Sequence, residues 1–588
     1  MRKIYSTLFL CSAFVLSAQA AEQPASMKAD VLGRHVTSTR NVPKAYIKDV
    51  EKQVNQKSDV AKTKSLTKVA NYPYEVSIRK TYGAFEYRNG RRWYALDSDE
   101  GLSESQYLSR INQIEDNDRG RISYVRSNTS NFPAKDPSFY YFVVLNMTAA
   151  SSEDNRGYSD YKYLLEKSNL NSSFHNAGYK GDGIGISFTE NGAPFAGVIS
   201  DNKLIMDGDC GNRYPLIKHA TNVARVLNRI APMASLYGYM INCSTYTSLE
   251  AVFPANGYYK NPKIYIGNHS YGSPGERYNG DSIRDGSSRD VDDYIYATRT
   301  IQFASMGNDG NRNDSSGQVS AVARGLNVIS VGAVLDNMTY DTTSSWKNPK
   351  LRVNDSVPGS GREYVKPEIA NFSNILFPGE ERVRIQVNNG RLSIDPHLGA
   401  TSAATPYTAA STALLLDRYP FYRWHPEVVK ALLITSSVNK IKGAEQHDVD
   451  NAPFKIAMGI PDGKAMTQNN RSRFWNGDNG EFFDSNGQIS FTESNIEPQK
   501  KYRIAIAWLS SGTYVFKSGR IPQDIDLYVY QNGKRVDYSN SGANPFEFVE
   551  FKSNSGRPLT IVISRYRNDG GRVLLGYNLL RVPNEYQD

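Results

Sequence analysis

The chain has 588 residues, of which 39% are hydrophobic and 22% charged, with a formal net charge of +9. That length exceeds one ordinary core and predicts about three or four structural units. The charge excludes a nucleic-acid recognition face. Arg2 and Lys3 carry two of the nine charges, residues 21–150 hold 20 basic against 15 acidic side chains, and residues 151–588 net only +2. Lys52, Lys57, Lys62, Lys64 and Lys68 are spread through the start of a leader, as in a solvated, partly disordered segment.

In chain order, Arg2 and Lys3 precede an apolar run from Leu8 to Leu16, and Ala18 and Ala20 follow in the small-residue pattern of a cleavage site. Residues 1–20 therefore read as a secretory signal peptide. Cys11 lacks the small residue that precedes a lipidated cysteine, and the run is too short to span a bilayer. No later stretch approaches twenty apolar residues, so the mature chain is expected to be exported without a membrane span. Its destination is the periplasm, the cell surface or the medium. Removing the signal leaves Cys210 and Cys243 in a chain bound for an oxidising compartment, which predicts a disulfide. Two unpaired buried thiols are the alternative, and zinc is disfavoured without a CxxC or HxxxH partner.

Residues 21 to about 70 are polar and weakly periodic, so a flexible start is expected, whereas YEVSIRKTY, RISYV and FYYFVVLNM between 72 and 147 suit a small folded unit. From about 155 to 455 strands alternate with helices. GIGISF, ASLYGYMI, KIYIGNHS, TIQFASMGN and NVISVGAV read as buried strands, and HATNVARVLNRI at 219–230 as a helix, which is α/β order around a mainly parallel sheet. After about 460 the pattern alternates: Tyr502, Ile504, Ile506 and Trp508 share one strand face, and Ile525, Leu527 and Val529 another, before an Asn532-Gly533 hairpin turn. Residues 460–588 should form an antiparallel, jelly-roll-like β-sandwich.

The segment ATSAATPYTAASTALLL, residues 400–416, places Ser402 at the mouth of an alanine-rich helix. Pro406 is tolerated only near a first turn, so the helix should start close to Ser402. Helix N-termini offer unpaired N–H groups and partial positive charge, which suit an oxyanion beside a serine nucleophile. A buried helix with a serine cap satisfies the same residues. A serine nucleophile needs a neutral histidine and a carboxylate to orient it. His35, His175, His425 and His447 are poorly placed, whereas His219 precedes a helix whose apolar face is Ala220, Val223, Ala224 and Leu227. A structural histidine capping that helix is the competing reading. Glu190 closes the strand GIGISFT, and Asn308 follows Gly307 at the end of IQFASMGN, both at the carboxyl ends of strands, where active sites of open parallel sheets lie.

The segments GYKGDGIGISFTENG, HATNVA, NHSYGS, SMGNDGN, NVISVGAV, VKPEIANFS and ATSAATP occur in the order found in subtilisin-like serine proteases, which residues 160–440 resemble. The resemblance implies a subtilisin-like α/β fold and hydrolysis of peptide bonds through an acyl-enzyme. It implies Ser402 as nucleophile, His219 as general base, Glu190 at the family's aspartate position and Asn308 as oxyanion donor. Ser270, Tyr271 and Gly272 would pair with an extended protein or peptide substrate. The family has glycine where Ala220 and Ala400 stand and a second histidine where Asn222 stands. Ala400 disfavours positive φ, so an ordinary backbone conformation is expected there. Residues 21–150 fit a pro-segment that inhibits its own enzyme, cut near 150. The chemistry requires no cofactor. Structural calcium is common in the family, yet DGDCGN at 207–212 and NDGNRND at 308–314 lack complete ligand spacing, so no metal residue is assigned. The competing functional class is a secreted pseudoenzyme binding peptides or proteins through a protease fold. A third reading makes the C-terminal module an adhesin or glycan binder.

Overall fold

The computed structural model describes residues 157–192, 217–240, 264–272, 286–310, 319–346, 366–378, 383–387, 390–439, 441–442, 458–478, 481–542 and 544–587, with short stretches at 16–17, 92–93, 122–123, 142–144, 194, 199 and 204–206. Nearly all of the expected signal peptide and leader, and both Cys210 and Cys243, lie outside the described residues.

Seven parallel strands form the central sheet: β1 (Gly185–Glu190), β2 (Leu204–Met206), β3 (Ser235–Met240), β4 (Ile264–His269), β5 (Ile301–Ser305), β6 (Ile329–Val334) and β7 (Ile369–Phe372). Their order is β7-β6-β5-β4-β1-β3-β2. Every residue of β1, β4, β5, β6 and β7 is buried, which is why these strands read as apolar runs without alternation. Because β1, β4 and β5 are neighbours, Glu190, His269 and Ser305 end side by side at one edge of the sheet.

Four helices matter for that edge: α1 (Lys218–Ile230), α2 (Gly286–Thr298), α3 (Thr401–Arg418) and α4 (Pro426–Ser436). Ala220, Val223, Ala224 and Leu227 of α1 are fully buried, as their 3.6-residue spacing predicts. α3 packs against α1 and across β4 to β7, and its buried Ala403, Ala404, Ala409, Ala410 and Ala413 permit the close approach. Its buried hydroxyls donate back one turn: Thr405 to the Thr401 carbonyl (2.8 Å), Thr408 to Ala404 (2.9 Å), Ser411 to Tyr407 (2.7 Å) and Thr412 to Thr408 (3.0 Å). Pro406 is the sixth residue of α3, inside the helix and not at its first turn.

Beyond residue 469 the chain forms two antiparallel sheets from β8 (Asn470–Asp478), β9 (Gln488–Glu493), β10 (Lys501–Trp508), β11 (Gln523–Gln531), β12 (Lys534–Ser539), β13 (Phe546–Lys552), β14 (Leu559–Asn568) and β15 (Arg572–Arg581). One runs β8-β15-β10-β13, with Leu16–Ser17 at the edge of β8, and the other β9-β14-β11-β12. Tyr502, Ile504, Ile506 and Trp508 meet Ile525, Leu527, Val529, Ile561 and Ile563 in one core. Asn532 and Gly533 both have positive φ, 54° and 73°, as a two-residue hairpin with a primed turn requires. The opposite face of β10 and β15 packs on α4. A Cβ on Gly576 would lie 2.5 Å from the backbone of Glu427 and Val428, so the strand touches the helix backbone directly. Asn578 donates to Thr435 Oγ1 (2.7 Å), Arg503 to the Ser437 carbonyl (2.6 Å), and the Asn327 side chain exchanges bonds with the Ser510 carbonyl (2.7 Å) and N–H (2.8 Å).

Candidate active site

Glu190, the last residue of β1, is 3% exposed, and its Oε2 lies 2.8 Å from His219 Nδ1. Its Oε1 is buried with no hydrogen-bond partner among the described residues. The contact fixes the tautomer: with Glu190 ionised, Nδ1 carries the hydrogen and donates, leaving Nε2 as the proton acceptor. Burial pulls the His219 pKa down, but the charge of Glu190 and its hydrogen bond pull harder, so the net shift is upward. Burial raises the Glu190 pKa, and the charge and hydrogen bond of His219 oppose it only in part. His219 is the second residue of α1, inside the first turn and not before it, because Ile217 in extended conformation takes the cap position.

Asn222, one turn further along α1, donates to the carbonyls of Asp395 (3.1 Å) and His397 (2.7 Å), and its own oxygen accepts from Arg225 (2.9 Å). Lys218 pairs with the Asp395 carboxylate. The helix that carries His219 is thereby tied to the chain entering α3. The sequence marks Asn222 only as a departure from the family pattern; its role as a tether depends on a loop 173 residues away.

Ser402 is the second residue of α3 and half-buried. Thr401 is fully buried and donates through Oγ1 to Asn308 Oδ1 (2.7 Å) and through its N–H to the same oxygen (3.2 Å). With its oxygen held there, Asn308 leaves its Nδ2 donor for another acceptor, and the residue is exposed. The N–H groups of Ala403 and Ala404 go to the Ala400 carbonyl (3.0 and 3.3 Å), whereas that of Ser402 has no partner among the described residues. Pro406 has no N–H to offer the Ser402 carbonyl, and Ser270 Oγ takes that place at 3.4 Å. Ser402 Oγ lies 3.5 Å from the Ser270 carbonyl in return. Ser270, which follows β4, is thus brought to the helix mouth together with Asn308, which follows β5.

Ala400 corrects the expectation of an ordinary backbone. It stands at the helix cap with φ 56° and ψ −156°, a region that is nearly glycine-only, because the chain must reverse there to present Ser402. Tyr271 and Gly272 follow Ser270, with the Tyr271 carbonyl accepting from Ser320 Oγ (3.2 Å). Among the described residues no group of three or more His, Cys, Asp or Glu could hold a metal, and no helix is long and apolar enough to cross a membrane. Residues 207–212 lie outside the described residues, as do 311–314.

Residues 192–469 match the model of the Subtilase family. Fervidolysin from Fervidobacterium pennivorans, a keratinolytic enzyme related to subtilisin, is 13% identical over 74% of this chain and 60% of its own, with a TM-score of 0.36. A lanthipeptide protease is 14% identical over 55% of this chain and 99% of its own, with a TM-score of 0.36. A cold-adapted subtilisin-like serine proteinase is 15% identical over 48% of this chain and 90% of its own, with a TM-score of 0.31. No curated protein sequence matches the chain.

Proposed function

As residues 192–469 of this chain match the model of the Subtilase family, a family of serine-type peptidases, we propose that the protein is a secreted serine endopeptidase with a Glu190–His219–Ser402 triad. The observation that carries this reading is the 2.8 Å contact between Glu190 and His219 Nδ1, made on a helix tied to the segment that leads into Ser402. His219 Nε2 takes the proton of Ser402 as Oγ bonds to the peptide carbonyl carbon, and Glu190 stabilises the imidazolium. The same proton passes to the leaving amine when the C–N bond breaks. Water then attacks the acyl-enzyme, His219 takes its proton, and Ser402 leaves with it. The Ser402 N–H and Asn308 Nδ2 hold the oxyanion at each tetrahedral stage.

Ser270, Tyr271 and Gly272 form the edge on which an extended substrate pairs. Residues 21–150 act as the inhibitory pro-segment, residues 1–20 direct export, Cys210 and Cys243 form a disulfide, and the two C-terminal sheets are a β-sandwich domain packed on α4. The test is cleavage of denatured casein by the mature protein and by Ser402→Ala. Casein cut by the first and untouched by the second is expected; equal activity of the two removes Ser402 from the chemistry.

A further inference from the structure

β4 ends in Asn268 and His269, and these two hold Ser270 and Tyr271, the polar residues that follow the strand. Asn268 Nδ2 donates to Ser270 Oγ (3.0 Å). His269 is fully buried, with Nε2 2.9 Å from Gln302 Oε1 and Nδ1 3.2 Å from the Tyr271 hydroxyl. The direction of every bond in this network follows from its far end. Thr298 Oγ1 donates to the Tyr294 carbonyl of α2 (2.8 Å), which can only accept. Thr300 Oγ1 therefore donates to Thr298 Oγ1 (2.9 Å), and Gln302 Nε2 donates to Thr300 Oγ1 (2.8 Å). That turns the Gln302 oxygen toward His269, whose Nε2 must carry the hydrogen and whose Nδ1 must accept from Tyr271.

We propose that His269 is a positioning residue for the substrate-pairing edge: as a neutral Nε2–H imidazole it holds the Tyr271 hydroxyl and so fixes the segment 270–272 beside Ser402. This rests on the reading of that edge as the substrate strand. Three further observations support it. Gly267 sits opposite Gln302 in the β4–β5 register, and a Cβ there would lie 1.9 Å from Gln302 Oε1, so the strand is shaped around the amide that orients His269. Burial pushes the His269 pKa down to about 4, against the hydrogen bond to Gln302, which keeps the ring neutral wherever a serine protease works. The Tyr271 ring meets the imidazole edge-on, with centroids 5.6 Å apart at 79°, a favoured aromatic arrangement. Chains of aligned hydrogen bonds polarise one another, so the contact at Tyr271 is strengthened by those behind it.

The consequence is that an extended peptide meets a Tyr271 side chain already held in place when it pairs with the edge, which lowers the ordering cost of binding. The test has two arms. In the first, long-range 1H–15N spectra of histidine-labelled Ser402→Ala protein read the tautomer. His269 with the hydrogen on Nε2, and an Nδ1 resonance that moves in Tyr271→Phe, is expected. A hydrogen on Nδ1, or an Nδ1 unmoved by Tyr271→Phe, overturns the proposal. In the second, mature enzyme with His269→Phe should show a KM for an eight-residue peptide raised about 5- to 10-fold with kcat changed less. His269→Asn, which keeps an acceptor near the Nδ1 position, should recover most of that loss. Equal loss in both variants, or a fall confined to kcat, overturns it. The tautomer arm needs no activity, so a chain without Ser402-dependent cleavage would refute the peptidase reading while this arm still decides the state of His269.

Discussion

Asn308 owes its orientation to one neighbour. The Thr401 hydroxyl and N–H both bind its oxygen, at 2.7 and 3.2 Å, which aims the amide nitrogen at the helix mouth. Asn308→Ala should lower kcat by about 100- to 1,000-fold with little change in KM, the usual loss for one oxyanion donor. An unaltered kcat in steady-state kinetics would exclude the role. The pH profile reports the base. His219 must be neutral to accept a proton, and Glu190 raises its pKa above the ordinary 6.5, so kcat/KM should climb with pH through a midpoint above that value. In Glu190→Gln the charge is gone, the midpoint should drop below that of the wild type, and the maximal rate should fall by about 10⁴-fold as the tautomer is lost. Ala400 holds a conformation that costs about 1–3 kcal/mol for a residue with a side chain. Ala400→Gly relieves that strain but adds freedom to the unfolded chain, so a net gain of about 1 kcal/mol is expected in urea unfolding. Loss of stability would mean the backbone there is unstrained.

At the scale of elements, Glu368, the residue before β7, joins α4 and β6 through buried charge and hydrogen bonds. Glu368 Oε1 takes Lys366 at 2.7 Å and Lys430 at 2.6 Å, and its Oε2 accepts the Ser330 N–H at 2.9 Å and the Ser330 hydroxyl. Burial would raise the Glu368 pKa, yet the two lysines outweigh it and hold it below the ordinary carboxylate value. Lys430 also donates to the Leu326 carbonyl (2.8 Å). Lys430→Met removes both contacts and should cost about 3–5 kcal/mol in urea unfolding, as when one partner of a buried pair is lost. A cost under 1 kcal/mol would show that the pair is near neutral. The parallel strands and the α3 helix were legible because buried apolar runs and small-residue helices carry their burial in composition. The ends of elements were less so. Ile217, an apolar residue with no capping side chain, takes the cap position of α1 two residues before His219, and Ala400 adopts positive φ although alanine is a poor choice for it. Both result from where the chain must turn in three dimensions, which local pattern does not encode. Asn268, His269 and Gln302 were missed for a related reason: single polar residues in buried strands look alike until the neighbouring strand is known.

At the scale of the molecule, the C-terminal sheets are joined to the region of the parallel sheet through backbone-close packing at Gly576 and polar bonds from Asn578, Arg503 and Asn327. Separating the two regions would strand buried donors and acceptors, so they should unfold together. The sheet edge then has a fixed frame on both sides: α1 and α3 bring His219 and Ser402, while α2, braced by the Asp293 carboxylate on the Thr513 N–H (2.9 Å), anchors the network that ends at Tyr271. Covalent labelling of the mature protein by a fluorophosphonate, with the modified residue located by peptide mass spectrometry, tests directly whether Ser402 is the nucleophile. One label per chain is expected, on Ser402, abolished in His219→Ala. No label on Ser402, in protein shown to be folded, would contradict it and leave a protease fold that binds without cutting.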